Sequence, residues 1–350
     1  MLKSRLLSAT LSFFVFQSAF AAPPEYIDCV VSDHPSAKSL NDTISSCTAA
    51  IGSQKLSDSE LAKAKAARAA AYKSTGHYDQ ALQDYKDAID LTKVDPDLFF
   101  ETGNLYAAIR DLDHALLAYD RAIELKPSFA EALTNRCYIH NLKMESDAAI
   151  SDCEKVIKLD PGVTQALNGL AIAYQDKNQC SVALIYYSNV LNEDGKNVNA
   201  LMGRASCYDA LDERKAAIED YTKVIFLDPQ RASAWNNRCW ARAIVGDLEE
   251  SLNDCNQSLE LRPNDPETLD SRGLVYLKLR NPPAAIQDYD TALKLNSRMP
   301  TSLYGRGLAK FETGQKAAAD QDIAVARKIE PHISEQFARL GVAVNSTDER

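Results

Sequence analysis

Six arginines in this 350-residue chain each precede an aspartate by 16 residues: Arg68 and Asp84, Arg136 and Asp152, Arg204 and Asp220, Arg238 and Asp254, Arg272 and Asp288, Arg306 and Asp322. Cys137 and Cys153, and Cys239 and Cys255, share that interval of 16, while Cys29 and Cys47 stand 18 apart. Side chains of these types could serve acid–base catalysis, metal ligation or covalent cross-linking. A catalytic pair is built once, and six copies in register read as structural ion pairs. Metal ligation finds no support, because there is no CxxC and His34, His77, His114, His140 and His332 do not cluster at ligand spacing. The missing CxxC argues against a thiol-redox enzyme as well. No phosphate loop, GxSxG or HExxH is present. Neither an enzyme nor a metal or cofactor is expected. What remains is ionic and covalent stapling of the fold.

An interval of 16 must join elements that lie side by side, and the rest of the chain says which. Prolines 127, 161, 229, 263 and 331 differ by 34 or 68 residues, with Gly195 and Ser297 standing in the two gaps. From about residue 62 to 333 the register holds without an insertion or deletion. A fixed period in this range means a stacked-repeat solenoid, each unit burying its face against its neighbours. Eight units are read at 62–95, 96–129, 130–163, 164–197, 198–231, 232–265, 266–299 and 300–333, each with two amphipathic helical stretches around a polar turn. Small residues such as Gly103 and Gly273 hold the eighth place, and Ala81 and Ala149 the twentieth. Tyrosines such as Tyr72 and Tyr276 hold the eleventh place, and Tyr85 and Tyr289 the twenty-fourth. Alternating small and large positions lets antiparallel helices interlock. The predicted fold is all-α, a right-handed superhelical solenoid of about eight helical hairpins. A degenerate N-terminal hairpin and connector in 22–61 and a capping helix with a polar tail in 334–350 complete it.

Within this frame the arginine is always the seventh place and the aspartate the twenty-third. The two units lacking the arginine, with Thr102 and Leu170, also lack the aspartate, carrying Ala118 and Tyr186. That covariation predicts an ion pair inside one hairpin. Pairing across successive units fails, because Arg136 would face Ala118. The cysteines obey the same logic. Cys137–Cys153 and Cys239–Cys255 join the eighth and twenty-fourth places of one unit, and Cys29–Cys47 closes the degenerate hairpin. Cys180 and Cys207 remain, and antiparallel stacking of adjacent units predicts a fourth bridge between them. The fourth unit replaces the usual leucine and proline with Glu193 and Gly195, which predicts a looser helix end. Ile333–Val344 is expected to form a last short helix.

Lys3 and Arg5, an apolar run from Leu6 to Phe16 and Ala19-Phe20-Ala21 together read as a secretory signal in residues 1–21, cleaved after Ala21. The run is too short to span a bilayer, so no membrane insertion is expected after cleavage. Disulfides fit the periplasmic or secreted address that this implies. Losing Lys3 and Arg5 takes the net charge from −10 to −12. Such an acidic chain argues against nucleic acid and anionic membranes as partners.

The bulky fourth, small eighth, aromatic eleventh, alanine twentieth, aromatic twenty-fourth and proline thirty-second places resemble the tetratricopeptide repeat family, over about four fifths of the chain. Asn237-Arg238-Cys239-Trp240, Asp254-Cys255-Asn256 and Ser302–Gly307 further resemble exported repeat proteins of alphaproteobacteria. The family resemblance implies that first helices line a groove and that ligands meet the second, fifth, ninth, twelfth and thirteenth places. In the last three units these give a mostly apolar strip: Trp240, Leu274, Leu277, Tyr304, Leu308 and Phe311. Earlier units give a more polar mixture including Phe100, Asn104, Tyr138, Asn168, Gln175, Met202 and Asp209. The family's clamp for a chaperone's terminal carboxylate is matched only at Asn104 and Asn135. Phe100, Gln165 and Gly169 stand where its basic residues belong. The function expected from the resemblance is an exported scaffold binding a partner protein or peptide in its groove. The alternative is a holdase or assembly factor for envelope proteins in transit.

Overall fold

The computed structural model describes residues 23–30 and 40–342; the proposed leader in 1–21 and the end of the expected last helix, beyond Val342, lie outside them. Nineteen helices and no strands are found among the described residues. They succeed one another in packed pairs: α1 (Pro24–Val30) with α2 (Leu40–Gly52), α3 (Asp58–Ser74) with α4 (Tyr78–Thr92), and α5 (Pro96–Ala108) with α6 (Leu112–Leu125). After α7 (Ala130–Leu142) and α8 (Ser146–Leu159) come α9 (Thr164–Asp176) with α10 (Cys180–Glu193), and α11 (Val198–Ala210) with α12 (Arg214–Leu227). The last pairs are α13 (Ala232–Val245) with α14 (Leu248–Leu261), α15 (Pro266–Lys278) with α16 (Pro282–Leu295), and α17 (Pro300–Glu312) with α18 (Lys316–Ile329), and α19 (Ile333–Arg339) ends the series. The chain divides into two compact units, the first ending at Arg136 and the second beginning at Cys137.

Helix starts are written locally. Ser57 accepts from the Glu60 backbone N–H while the Glu60 carboxylate accepts from Ser57, a reciprocal capping box. Asp95 and Asp265 cap α5 and α15, each with proline next at the first helical position. The turns inside the hairpins obey a stricter rule. Gly76, Arg110, Met144, Asn178, Asp212, Gly246, Arg280 and Gly314 all take positive φ, between 57° and 97°, and each is the fifteenth place of its unit. The residue after it donates to the carbonyl of the eleventh place, as His77 does to Tyr72 and Gln315 to Lys310, both at 2.9 Å. This is the six-to-one bond of a Schellman ending. It is imposed by the packing of the two helices, because only three of these eight residues are glycine.

The tyrosines of the twenty-fourth place fill the hairpin interiors. Tyr85, Tyr119, Tyr187, Tyr221 and Tyr289 are each 1 % exposed. Glycines admit them: a Cβ on Gly103 would meet the Tyr119 ring at 2.6 Å, and one on Gly273 would meet Tyr289 at 2.7 Å. The eighth and twenty-fourth places therefore touch. Where both are cysteine they are bonded, as Cys137–Cys153 and Cys239–Cys255, with Cα atoms 5.7 and 5.4 Å apart. Cys29–Cys47 is bonded too. The expected fourth bridge is absent. Cys180 and Cys207 are free thiols buried in one apolar cluster with Leu167, Ala171 and Tyr187. Burial, and after it a hydrogen bond with Cys180, pushes the Cys207 thiol far above its usual range.

Bidentate bonding of arginine to aspartate recurs in at least five hairpins. Arg272 donates from Nε and Nη2 to Asp288 at 2.7 and 2.8 Å, and Arg68, Arg204, Arg238 and Arg306 repeat this with Asp84, Asp220, Asp254 and Asp322. The third nitrogen, Nη1, reaches the preceding hairpin. It meets Ser188, Thr222, Asn256 or Asp290, and from Arg136 it meets Asp120. The expectation of bonding inside one hairpin alone is corrected by this bond. Its acceptor is the twenty-fifth place of the unit before, not the twenty-third. The fourth unit is corrected too. α10 runs a full 14 residues, and Asp194 accepts from the Lys196 N–H at 3.0 Å, the same turn that Asp160 makes with Gly162 around Pro161. At the C-terminal end, α19 stops at Arg339 and sets Phe337 against Tyr304, ring centres 4.8 Å apart.

Two outcomes are expected. Alkylation of the unreduced, denatured protein labels two of the eight cysteines, Cys180 and Cys207, and peptide masses show the other six paired. Labelling of Cys239 or Cys255 would contradict the hairpin bridges. Replacing Arg272 by Met lowers the unfolding free energy in urea by about 3 kcal/mol, because it strands a buried carboxylate. The double variant Arg272→Met, Asp288→Leu loses less than the sum of the single changes, and strictly additive losses would deny the pairing.

Candidate partner-binding surface

The places that a partner would meet lie on first helices, and the structure treats them unequally. In the first compact unit, Phe100 is half-buried and packs on Phe129 and Tyr119 with ring centres 5.0 and 6.1 Å away. Asn104 accepts from the Tyr119 hydroxyl at 2.8 Å and from the Asn135 amide at 2.7 Å. The two asparagines that match the carboxylate clamp therefore satisfy each other.

In the second compact unit, Tyr138 presents its ring, 58 % exposed. The apolar strip expected at the C-terminal end does not. Leu274, Leu277, Tyr304 and Leu308 are all buried, in one cluster with Ile333 and Phe337 of α19. The last helix lies over them, with Leu340 and Val342 packed against the same cluster. Tyr304 is 2 % exposed and is corrected from a presented anchor to a core residue. Phe311, with Leu277 and Leu308, lines a cavity of about 600 Å³ whose other wall is Ala338, Gly341 and Val342.

Trp240 lines a different cavity, of about 380 Å³, bounded by α11, α13, α15 and the start of α17. Its wall is mixed: Ser206, Asp209, Asn236, Glu267, Asp270 and Thr301 stand around the Trp240 and Tyr221 rings and Met299. Asp209 is the twelfth place of its unit and was legible as a groove residue. Asn236, Glu267, Asp270 and Thr301 occupy the fifth, second, fifth and second places of theirs. The same register carries them, and a reading by apolar side chains alone misses them.

The two half-buried carboxylates differ. Asp209 accepts from the Arg214 guanidinium at 2.9 Å and from the Tyr221 hydroxyl at 3.0 Å. Its pKa is raised by burial, with Arg214 opposing the shift. Asp270 accepts from the Ser302 hydroxyl and pairs with no cation among the described residues. Burial pushes its carboxyl up to about 6, the Ser302 and Thr301 hydroxyls holding it back and Glu267 adding to the rise. The Asn236 amide oxygen is buried without a donor among the described residues. No described lysine or arginine lines the cavity.

Tetratricopeptide repeat models match residues 65–130, 100–164, 198–231 and 271–329, together more than half of the chain. No curated protein matches it. A tetratricopeptide repeat protein from Parabacteroides merdae superposes with a TM-score of 0.56 at 19 % identity, over 70 % of this chain and 98 % of its own. PilF of Pseudomonas aeruginosa superposes with a TM-score of 0.51 at 17 % identity, over 60 % and 96 %. Helical hairpins in consecutive packed pairs, the repeat register and these matches agree: the chain belongs to the tetratricopeptide repeat family, whose arrays are protein–protein interaction scaffolds.

Proposed function

We propose that the protein is an exported scaffold that binds an extended segment of a partner protein across the first-helix surface of its second compact unit, and that it is not an enzyme. The observation that carries this reading is the cavity between α11, α13, α15 and α17, built from the register positions at which this family meets ligands. Export is supported by three disulfides, which persist in oxidising compartments. Taken on protein recovered from the periplasm of a bacterial host and carrying its own leader, the thiol count tests export. Six or more reactive thiols there would oppose it. The absence of any membrane-capable helix among the described residues is compatible with this address.

Asp270 supplies a physical argument for a binding role. A half-buried carboxylate that lacks a cation costs stability, and such groups persist where something other than stability is selected.

A photo-cross-linker placed at Glu267, on the rim of the cavity, is expected to trap a polypeptide partner, whereas one at the exposed Glu219 of α12 traps none. The reverse pattern would move the site to the second helices. Asp270→Asn is expected to stabilise the free protein at neutral pH. The folded-state pKa of Asp270 is raised, to about 6, so its favourable contribution is complete below about pH 4 and is lost as pH rises through 6. The variant's advantage in thermal unfolding therefore grows between about pH 4 and pH 8, reaching on the order of 2 kcal/mol. A difference that does not change with pH would show that Asp270 ionises freely.

A further inference from the structure

The wall of the 380 Å³ cavity includes three acceptors that no cation or amide of the described residues supplies: the carboxylates of Asp270 and Glu267 and the amide oxygen of Asn236. Asp270 meets hydroxyls alone, and Glu267 stands exposed on the rim beside it. The Asn236 oxygen, itself buried, has no donor among the described residues. Arg214, which sits outside the lining, is already held by Asp209 and Asp212 at 2.9 and 2.8 Å. On the apolar side stand the Trp240 and Tyr221 rings, whose faces attract cations. An unpaired carboxylate, an orphaned amide oxygen and an indole converging on one cavity ask for a multidentate cation of side-chain size. An anion or an apolar anchor would leave every one of these acceptors unsatisfied.

We propose that this cavity is a subsite for one cationic side chain, a lysine ammonium or an arginine guanidinium, on the extended partner segment. The inference rests on the scaffold reading above and adds the chemistry of what is recognised. The cation pairs with Asp270 and Glu267, donates to the Asn236 oxygen, and lies against Trp240. A guanidinium, with five donors in a plane, satisfies more of these groups at once than an ammonium does. Specificity comes from the unpaired groups: a neutral side chain of the same length leaves the Asp270 carboxylate and the Asn236 oxygen buried and unsatisfied.

The test is a selection from a random nonapeptide library on the immobilised protein expressed with its own leader. The expected winners share one fixed Lys or Arg. A synthetic winner in which arginine is replaced by citrulline binds at least about tenfold more weakly. Asp270→Asn weakens the arginine peptide about tenfold, while Asp320→Asn, an equal change of net charge at an exposed site in α18, leaves it unchanged. Asp270→Asn is expected to remain folded, so a loss of binding is read at the subsite. Winners that carry no fixed basic residue, or equal affinity for the citrulline peptide, would overturn the cation subsite while leaving the scaffold reading intact. Equal weakening by Asp270→Asn and Asp320→Asn would overturn it also, showing only attraction to an acidic protein. A selection that returns no binders fails both readings.

Discussion

A repeat array has no single core, so each hairpin must be tied both to itself and to the next. In this chain the guanidinium at the seventh place does both. Its planar fork matches a carboxylate two-to-two, which leaves the third nitrogen free to point sideways. The aspartate side chains are 3 to 9 % exposed where this pairing is seen, so the pairs are formed away from most of the solvent. Desolvating two charges is costly and only good geometry offsets it. Arg272 meets that condition with three bonds of 2.7 to 2.8 Å to Asp288 and Asn256. Because the partners lie 16 residues ahead and 16 behind, one side chain fixes the pitch of the hairpin and the offset of its neighbour together. Rings of the eleventh place support it, as Tyr72, Tyr208 and Tyr276 lie 5.8 to 5.9 Å from their guanidinium carbons. Where that ring is replaced by Arg242 or Lys310, the new cation takes a second bond to the same aspartate.

The other ties follow from the packing of the two helices and recur in the units that lack the arginine, where Gly103 still meets Tyr119 and Arg110 and Asn178 still take positive φ. With the two helices of a hairpin held at a fixed height, the eighth and twenty-fourth places must meet, which suits glycine against tyrosine or cysteine against cysteine. The same constraint forces the fifteenth place into the left-handed region. Arg110, Met144, Asn178, Asp212 and Arg280 accept that conformation despite their Cβ atoms, at a local cost of about 1 kcal/mol or more each. Local propensity yields to packing at every one of these turns.

Much of this was legible because the repeats align with themselves. Arg and Asp appear and vanish together, so their pairing could be read from covariation inside one chain. The sideways bond could not be read so. Its acceptor is Ser188, Thr222, Asn256, Asp290 or Asp120, since any side-chain oxygen at that height suffices, and a position that varies in type leaves no pattern. The hydrophobic strip failed for a different reason. Leu274, Tyr304 and Leu308 have the periodicity of a lining, but a lining is open only if no later segment of the chain covers it. A seven-residue helix from Ile333 was enough to close this one. Cys180 and Cys207 were read as a pair from proximity, which holds in the sense that they share one cluster. Sharing a cluster does not by itself make a bond.

Internal bonding is incomplete at the candidate site. Three of the five buried tyrosine hydroxyls are satisfied by first-helix side chains, Tyr119 by Asn104, Tyr187 by Gln175 and Tyr221 by Asp209, while Tyr85, in α4, has no partner among the described residues. These polar groups are used up in holding the fold, which is why Asn104 is not free to meet a ligand. In the α15 hairpin the corresponding places are Leu274 and Leu277, and the Tyr289 hydroxyl is left buried without a partner among the described residues. Asp270 sits in that same hairpin, where burial first and then its charge raise the Tyr289 pKa, yet it receives donors only from α17 among the described residues. The fold has no use for the charge of Asp270, and its carboxylate faces a cavity lined by no described cation. A group that the scaffold neither pairs nor removes is best accounted for by what arrives from outside.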